Sequence, residues 1–102
     1  MMDSFSIDIC EYAAIQDERD IVVDLRNPDL FSFGSLPQAI NIPLDRLGEL
    51  MDLPHDRKVY VFCQVGEKSE GVAELLRQMG YEAWNLSGGY REYLKMILQE
   101  TI

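Results

Sequence analysis

The chain has 102 residues, of which 47% are hydrophobic and 26% are charged, so we expect one globular domain over residues 1–102. Its formal net charge of −9 repels nucleic acids and anionic lipid, so neither is an expected partner. No stretch approaches the roughly 20 apolar residues of a membrane span. The N-terminus has an early acid and no basic region before an apolar block, so no signal peptide is expected. These features predict a cytoplasmic protein.

The N-terminal part predicts a strand, a helix and a second strand. Residues 5–7 (FSI) have a weak strand pattern, and Asp8 is a good N-cap for a short helix with Ile9, Tyr12 and Ala13 on its apolar face. The segment Ile21–Leu25 (IVVDL) is apolar at both alternating sets of positions. Such strands belong in a sheet covered on both sides, which is usually parallel.

The rest of the chain keeps alternating strands with helices, which predicts an α/β domain with a helix layer on each face of the sheet. Strands are expected at 39–42 (AINI), 59–62 (VYVF) and 82–86 (EAWNL). Helical spacing predicts three amphipathic helices, with apolar rows at Leu44, Leu47 and Met51; at Val72, Leu75, Leu76 and Met79; and at Tyr90, Tyr93, Leu94, Ile97 and Leu98. Gly80 is a C-terminal stop for the second of these helices.

Cys63 directly follows the strand at 59–62 and precedes a helix, which is where ligands bind in open α/β sheets. Gly66 lets the intervening backbone turn its N–H groups inward as an anion nest, and Ser69 is the expected N-cap of a helix beginning at Glu70. The helix N-terminus and Lys68 add positive charge. These effects favour the thiolate, so we expect a nucleophilic cysteine. The alternative is that Cys63 is a small buried hydrophobic residue.

The other chemistry-bearing residues suggest less. Cys10 and Cys63 are far apart in unlike surroundings and no secretory signal is expected, so two free thiols are expected rather than a disulfide. Cys10 is either a resolving thiol or, as its lack of electropositive surroundings favours, a helix residue with no redox role. With one histidine, His55, and no CxxC pair, we expect no metal site and no cofactor. Asp24 and Arg26 either line the rim of the Cys63 site or have a structural role, with Asp24 accepting loop N–H groups and Arg26 pairing with a nearby acid.

The segment Cys63–Ser69 (CQVGEKS) resembles the active-site loop of rhodanese-like domains, in which a cysteine is followed by four residues, a basic residue and Ser or Thr. Three further segments agree in order along the chain. They are SIDICEYAAI at the start, the D-x-R element of Asp24 and Arg26 with GSLPQAINIP after it, and LSGGYREYL with Gly88 and Gly89 near the end.

The resemblance implies a three-layer α/β/α sandwich whose five-stranded, mostly parallel sheet has the order 3-2-4-5-1. It also implies sulfur transfer: a small anionic donor such as thiosulfate gives its outer sulfur to Cys63, and a thiol or protein acceptor, or cyanide, takes it from the resulting persulfide. The implied substrate-binding residues are Gln64, Val65, Gly66, Glu67, Lys68 and Ser69, whose backbone N–H groups hold the anionic donor.

Several positions depart from the family pattern. Lys68 stands where arginine is commoner and lacks its planar fork, Glu67 puts a negative charge in the anion loop, and Ser35 and Gln38 replace the usual histidine and glycine. These departures leave open a persulfide donor in place of thiosulfate, and a low-turnover persulfide carrier or regulatory binding module in place of an enzyme. Phosphatases of this fold have a loop one residue longer that ends in arginine, so phosphatase activity is not expected.

Overall fold

The sheet runs through the centre of the molecule, and the structure, a computed structural model, describes residues 5–100. Its strands are β1 (Ser6–Asp8), β2 (Ile21–Asp24), β3 (Ile40–Asn41), β4 (Val59–Phe62) and β5 (Ala83–Ser87). They lie in the order β1-β5-β4-β2-β3, and each pairing among these strands is parallel. Read from the other edge, this order is the predicted 3-2-4-5-1, which is therefore confirmed. The sheet is parallel throughout rather than mostly parallel.

Helical segments connect the strands. They are α1 (Ile9–Ile15), α2 (Pro28–Phe33), a 3-10 segment (Leu44–Asp52), α3 (Glu67–Gln78) and α4 (Gly89–Glu100). Asp8 caps α1 as predicted, because its Oδ1 accepts from the backbone N–H groups of Cys10 and Glu11 at 2.8 and 3.2 Å. Gly80 follows the end of α3 with φ +96°, a conformation that suits glycine. Within residues 5–100, no helix is both long and apolar enough to cross a bilayer.

Both faces of the sheet are covered, which explains why β2 and β4 are apolar at nearly every position. One face of the sheet, formed by Ile21, Val23, Val59 and Val61, packs in one core with Val72 and Leu76 of α3. The opposite face, formed by Val22, Tyr60 and Phe62, packs with Ile9 and Tyr12 of α1. Two cores around one parallel sheet make the predicted three layers.

The sequence prediction missed α2. Asn27 caps this helix through a bond of 3.0 Å from the Leu30 N–H to its Oδ1, and Pro28 occupies the first turn. The helix has only six residues, too few for an apolar period to be recognised in the sequence, and none of them is buried.

The predicted amphipathic helix near Leu44 is instead a kinked 3-10 segment. Arg46 has non-helical angles (φ −130°, ψ 33°), and the buried residue is Leu50 rather than Met51, which is 72% exposed. The Tyr81 hydroxyl contacts the carbonyl oxygens of Leu50 and Leu53 at 3.2 and 2.6 Å. These tertiary contacts fix the end of the segment. Because Tyr81 is distant in the chain, the sequence of the segment alone does not predict them.

The apolar row of α3 is narrower than its spacing predicts, since Leu76 is fully buried whereas the adjacent Leu75 is 41% exposed. We therefore expect Leu76→Ala to lower the free energy of unfolding by about 2–5 kcal/mol through the cavity it leaves. Leu75→Ala, the matched control, should change it by about 0.5 kcal/mol or less. Urea denaturation of both variants measures the difference, and equal losses would contradict this assignment of the helix face.

Candidate active site

Cys63 lies at the carboxyl end of β4, the strand between β2 and β5 in the sheet, and it is only 7% exposed. Its carbonyl accepts a hydrogen bond from the Tyr90 N–H at 2.9 Å, and the Gln64 carbonyl accepts from the Arg91 N–H at 3.1 Å. The first turn of α4 thus uses N–H groups that have no partner within the helix to hold the loop backbone. These two hydrogen bonds from α4 fix the backbone at the start of the Cys63 loop.

The loop after Cys63 directs backbone N–H groups at its sulfur. Gly66 has φ +98°, and its N–H contacts the Cys63 Sγ at 3.2 Å. Burial raises the pKa of the Cys63 thiol, but hydrogen bonds from the Ser69 hydroxyl and from the N–H groups of Ser69, Gly66 and Lys68 outweigh burial, and the net pKa is lowered. Such an environment favours the thiolate form of a cysteine.

Ser69 is not the helix cap that the sequence suggests. Helix α3 begins at Glu67 with Gly66 in the cap position, so Ser69 lies inside the first turn, where it is fully buried. Its Oγ is 3.4 Å from the Cys63 Sγ and 2.5 Å from Oδ1 of Asn85 on β5. Ser69 therefore contacts the sulfur directly instead of capping the helix.

The remaining loop side chains point outward. Gln64, Val65, Glu67 and Lys68 are exposed, whereas their backbone forms the turn around the sulfur. Glu67 is in the first turn of α3, where a carboxylate interacts favourably with the helix dipole. Glu67 therefore stabilises the start of α3, although its negative charge is unfavourable for binding an anion in the loop.

Asp24 and Arg26 form a buried ion pair. The guanidinium donates from Nη2 to Asp24 Oδ2 at 2.7 Å and to the Gly34 carbonyl at 2.6 Å, and it lies over the Tyr90 ring at 4.0 Å from the centroid. Asp24 also accepts from the Arg26 N–H and the Ser35 hydroxyl, at 2.9 and 2.8 Å. Of the two alternatives for this pair, the geometry favours the structural role, although Arg26 also contributes to the cleft wall.

A cleft of about 450 Å³ opens beside Cys63. Its polar or charged lining includes Gln64 and Lys68, and its apolar lining consists of Leu25, Pro28, Leu30, Pro43 and Leu44. Sequence reasoning missed these apolar residues because they come from α2, the 3-10 segment and the adjoining loops. It also missed Asn85, which is buried on β5 and which the sequence pattern indicates only as part of a strand.

Gly88 and Gly89 form a tight connection between β5 and α4. Both have positive φ, at +89° and +68°, and a Cβ on Gly89 would lie 2.5 Å from the Gln64 carbonyl oxygen and 2.7 Å from that of Cys63. Glycine at position 89 is therefore what lets α4 approach the Cys63 loop.

Cys10 lies apart, on α1, and differs from Cys63 in its surroundings. Both cysteines are free thiols in the structure, as predicted. Burial, followed by the negative charges of Asp8, Glu92 and Glu100, raises the pKa of Cys10. Among residues 5–100 there is no cluster of three or more His, Cys, Asp or Glu side chains suited to a metal ion.

The structure is thus an α/β domain in which a buried cysteine lies in a backbone nest at the carboxyl end of a central parallel strand. The sequence profile of the rhodanese-like domain matches residues 11–96. This chain belongs to the rhodanese-like domain family, as the sequence resemblance implied. Membership supports a sulfurtransferase-type role in general terms.

Solved structures agree with this assignment. A rhodanese-related protein from Thermoplasma volcanium is 30% identical, with a TM-score of 0.81 over 89% of this chain and 91% of that one. The reduced CoADR-RHD protein of Bacillus anthracis is 31% identical with a TM-score of 0.78, and the match covers 86% of this chain but only 16% of that longer chain. The human single-domain sulfurtransferase TSTD1, 24% identical over 91% of this chain and 97% of its own, shares the fold with a TM-score of 0.75.

The close approach of α4 to the loop predicts a strong effect of Gly89→Ala. The added Cβ would collide with two carbonyl oxygens at a positive φ, so we expect a loss of at least about 2 kcal/mol of stability, accompanied by slower alkylation of Cys63. Gly71→Ala is the matched control, because Gly71 lies in α3 with no atom near its would-be Cβ and should gain about 0.5–1 kcal/mol. Thermal unfolding compares the two variants. A neutral Gly89→Ala would contradict the packing described.

The two thiols provide an internal comparison of acidity. Since the thiolate is the reactive form, the alkylation rate rises as pH passes through the pKa. The lowered pKa of Cys63 places its midpoint below that of an ordinary cysteine, and the raised pKa of Cys10 places its midpoint above. Iodoacetamide labelling of Cys10→Ser and Cys63→Ser from pH 5 to 10, followed by mass spectrometry, measures each midpoint separately. In urea the two midpoints should converge. A folded Cys63 midpoint at or above that of Cys10 would refute the nest.

Proposed function

We propose that this protein is a rhodanese-type sulfurtransferase in which Cys63 carries the transferred sulfur as a persulfide. The supporting observation is the set of N–H groups around the Cys63 sulfur, with the Gly66 N–H at 3.2 Å. A nest of this kind stabilises both the attacking thiolate and the persulfide anion. We propose a cytoplasmic setting, because a free catalytic thiol needs reducing surroundings.

The proposed reaction has two displacement steps. In the first, the Cys63 thiolate attacks the outer sulfur of thiosulfate; the sulfur–sulfur bond of the donor breaks, and sulfite leaves with the electron pair. In the second, cyanide or an acceptor thiolate attacks the terminal sulfur, and the Cys63 thiolate leaves. A low-molecular-weight or protein persulfide replaces thiosulfate in the same scheme, with a thiolate as the leaving group. Neither step needs a cofactor.

The cleft wall supports a persulfide as the preferred donor. Much of the lining is apolar, and Arg26, one of its two cations, is neutralised by Asp24 at 2.7 Å. Lys68 is therefore the main cation available to a doubly charged donor among the residues that line the cleft. A persulfide carries one charge and an organic group that suits apolar walls, so its binding costs less desolvation.

A second candidate function, a low-turnover persulfide carrier or regulatory binding module, is favoured by the same cleft together with Glu67. The Glu67 carboxylate in the first turn of α3 opposes entry of free anions. A carrier would load sulfur stably, transfer it poorly to cyanide and transfer it well to one protein partner.

The first experiment is the intact mass of the Cys10→Ser protein after incubation with thiosulfate, and separately with glutathione persulfide. We expect a gain of one sulfur atom that cyanide reverses, because the nest holds the persulfide anion. Glutathione persulfide should load faster than thiosulfate.

The controls separate the candidate functions. The double variant Cys10→Ser/Cys63→Ser should gain no sulfur, and a gain in that protein would remove Cys63 from its proposed role. Loading that cyanide does not reverse would favour the carrier. Glu67→Gln tests the charge effect and should raise the rate with thiosulfate more than the rate with the persulfide.

A further inference from the structure

Ser69 faces more hydrogen-bond acceptors than it has hydrogens. Its Oγ lies 2.5 Å from Oδ1 of Asn85 and 3.3 Å from the Gly66 carbonyl oxygen, two acceptors that compete for its hydrogen, and 3.4 Å from the Cys63 Sγ. A hydroxyl has one hydrogen to donate. In the thiol state this causes no conflict, since the Cys63 S–H donates to Ser69 Oγ and the Ser69 O–H donates to Asn85.

Loss of the Cys63 proton changes this arrangement. The thiolate has no hydrogen to offer, so the Ser69 hydroxyl, 3.4 Å from the sulfur, joins the N–H donors around it only by turning its hydrogen to the sulfur. Ser69 Oγ and Asn85 Oδ1 would then meet at 2.5 Å as two acceptors with no hydrogen between them. Ser69 is fully buried and Asn85 only 3% exposed, so water offers little relief and such a contact is costly.

Ser6 on β1 provides the resolution. Asn85 Nδ2 donates to Ser6 Oγ at 3.1 Å, and a serine hydroxyl both donates and accepts. Rotation of the Asn85 amide by 180° would exchange its two ends. Nδ2 would then donate to Ser69 Oγ, and Oδ1 would accept from the Ser6 O–H. Every polar atom of the chain Cys63–Ser69–Asn85–Ser6 would keep a partner.

We propose that Asn85 is a positioning residue whose amide flips when Cys63 ionises, so that the Ser69 hydroxyl becomes a donor to the thiolate. The proton of Cys63 leaves to solvent, and the flip carries no proton along the chain. This inference goes beyond the proposed sulfur transfer and rests on it only in taking Cys63 as the nucleophile. Its test detects the thiolate itself, so it stands or fails separately from persulfide formation.

The flip is directly observable by NMR on the ¹⁵N-labelled wild-type protein. Below the Cys63 midpoint, the Asn85 side-chain NH₂ protons should show nuclear Overhauser contacts to the β-protons of Ser6. Above it they should show contacts to those of Ser69. Loss of the resonance in Asn85→Leu assigns it, and Cys63→Ser should show no change over the same pH range. A contact pattern that does not change with pH in the wild type would overturn the proposal.

The pH profile of Cys63 alkylation gives the second readout. In the Cys10→Ser background, Asn85→Leu should raise the Cys63 midpoint by about half to one pH unit. The reason is that Ser69 Oγ loses the Asn85 amide N–H that donates to it while the Ser69 hydroxyl donates to the thiolate. A fixed amide that only accepts from Ser69 predicts the reverse, since removing it would free the hydroxyl for the sulfur. A lowered midpoint would therefore refute the flip. Circular dichroism confirms folding, and if Asn85→Leu does not fold, the NMR result on the wild type decides the question.

A double-mutant cycle identifies the route of the effect. If Asn85 acts through Ser69, Asn85→Leu should leave the midpoint unchanged in a Ser69→Ala background. An equal shift in both backgrounds would make Asn85 merely structural. Both backgrounds contain the same charged residues: Arg26, Asp45 and Lys68 in the cleft beside Cys63, and Glu67 and Glu70 in the first turn of α3.

Discussion

The structure of this site depends on the contact between the start of α4 and the backbone of Cys63 and Gln64. Two N–H groups of α4 donate to these two carbonyls, at 2.9 and 3.1 Å. The same bonds satisfy helix N–H groups that would otherwise lack partners and fix the residues from which the nest begins. A Cβ at position 89 would collide with both carbonyl oxygens, so glycine at this position is what permits the approach of α4 in this chain.

Two opposing effects set the acidity of Cys63. Removing a thiolate from water disfavours it, whereas nearby N–H donors favour it. A surface cysteine would avoid the first effect, but its donors would compete with solvent and it would gain little from the second. Cys63 is buried at 7% exposure and still has a lowered pKa, so its donors outweigh the loss of water.

The sequence predicted the architecture better than the local detail. Alternation of doubly apolar strands with helices indicated the layers, and the Cys63–Ser69 pattern located the loop. The missing parts depend on tertiary contacts. Helix α2 buries none of its residues, the 3-10 segment is fixed by Tyr81 from a distant part of the chain, and Asn85 meets Ser69 only when β5 lies beside β4. Ser69 looked like a helix cap because its true neighbours are not sequence neighbours.

The groups that supply positive potential around Cys63 limit which anions the site stabilises well. Asp24 neutralises the charge of Arg26. The positive charge of Lys68 is partly offset by Glu67, the residue that precedes it in the sequence. The stabilisation of the sulfur therefore comes mainly from the Ser69 hydroxyl and from N–H dipoles, whose effect falls off over a shorter distance than that of a full charge. Such a nest stabilises one atom well and a spread-out dianion less well. We infer that the site is better matched to the single terminal sulfur of a persulfide than to the several oxygens of a sulfonate or phosphoryl group.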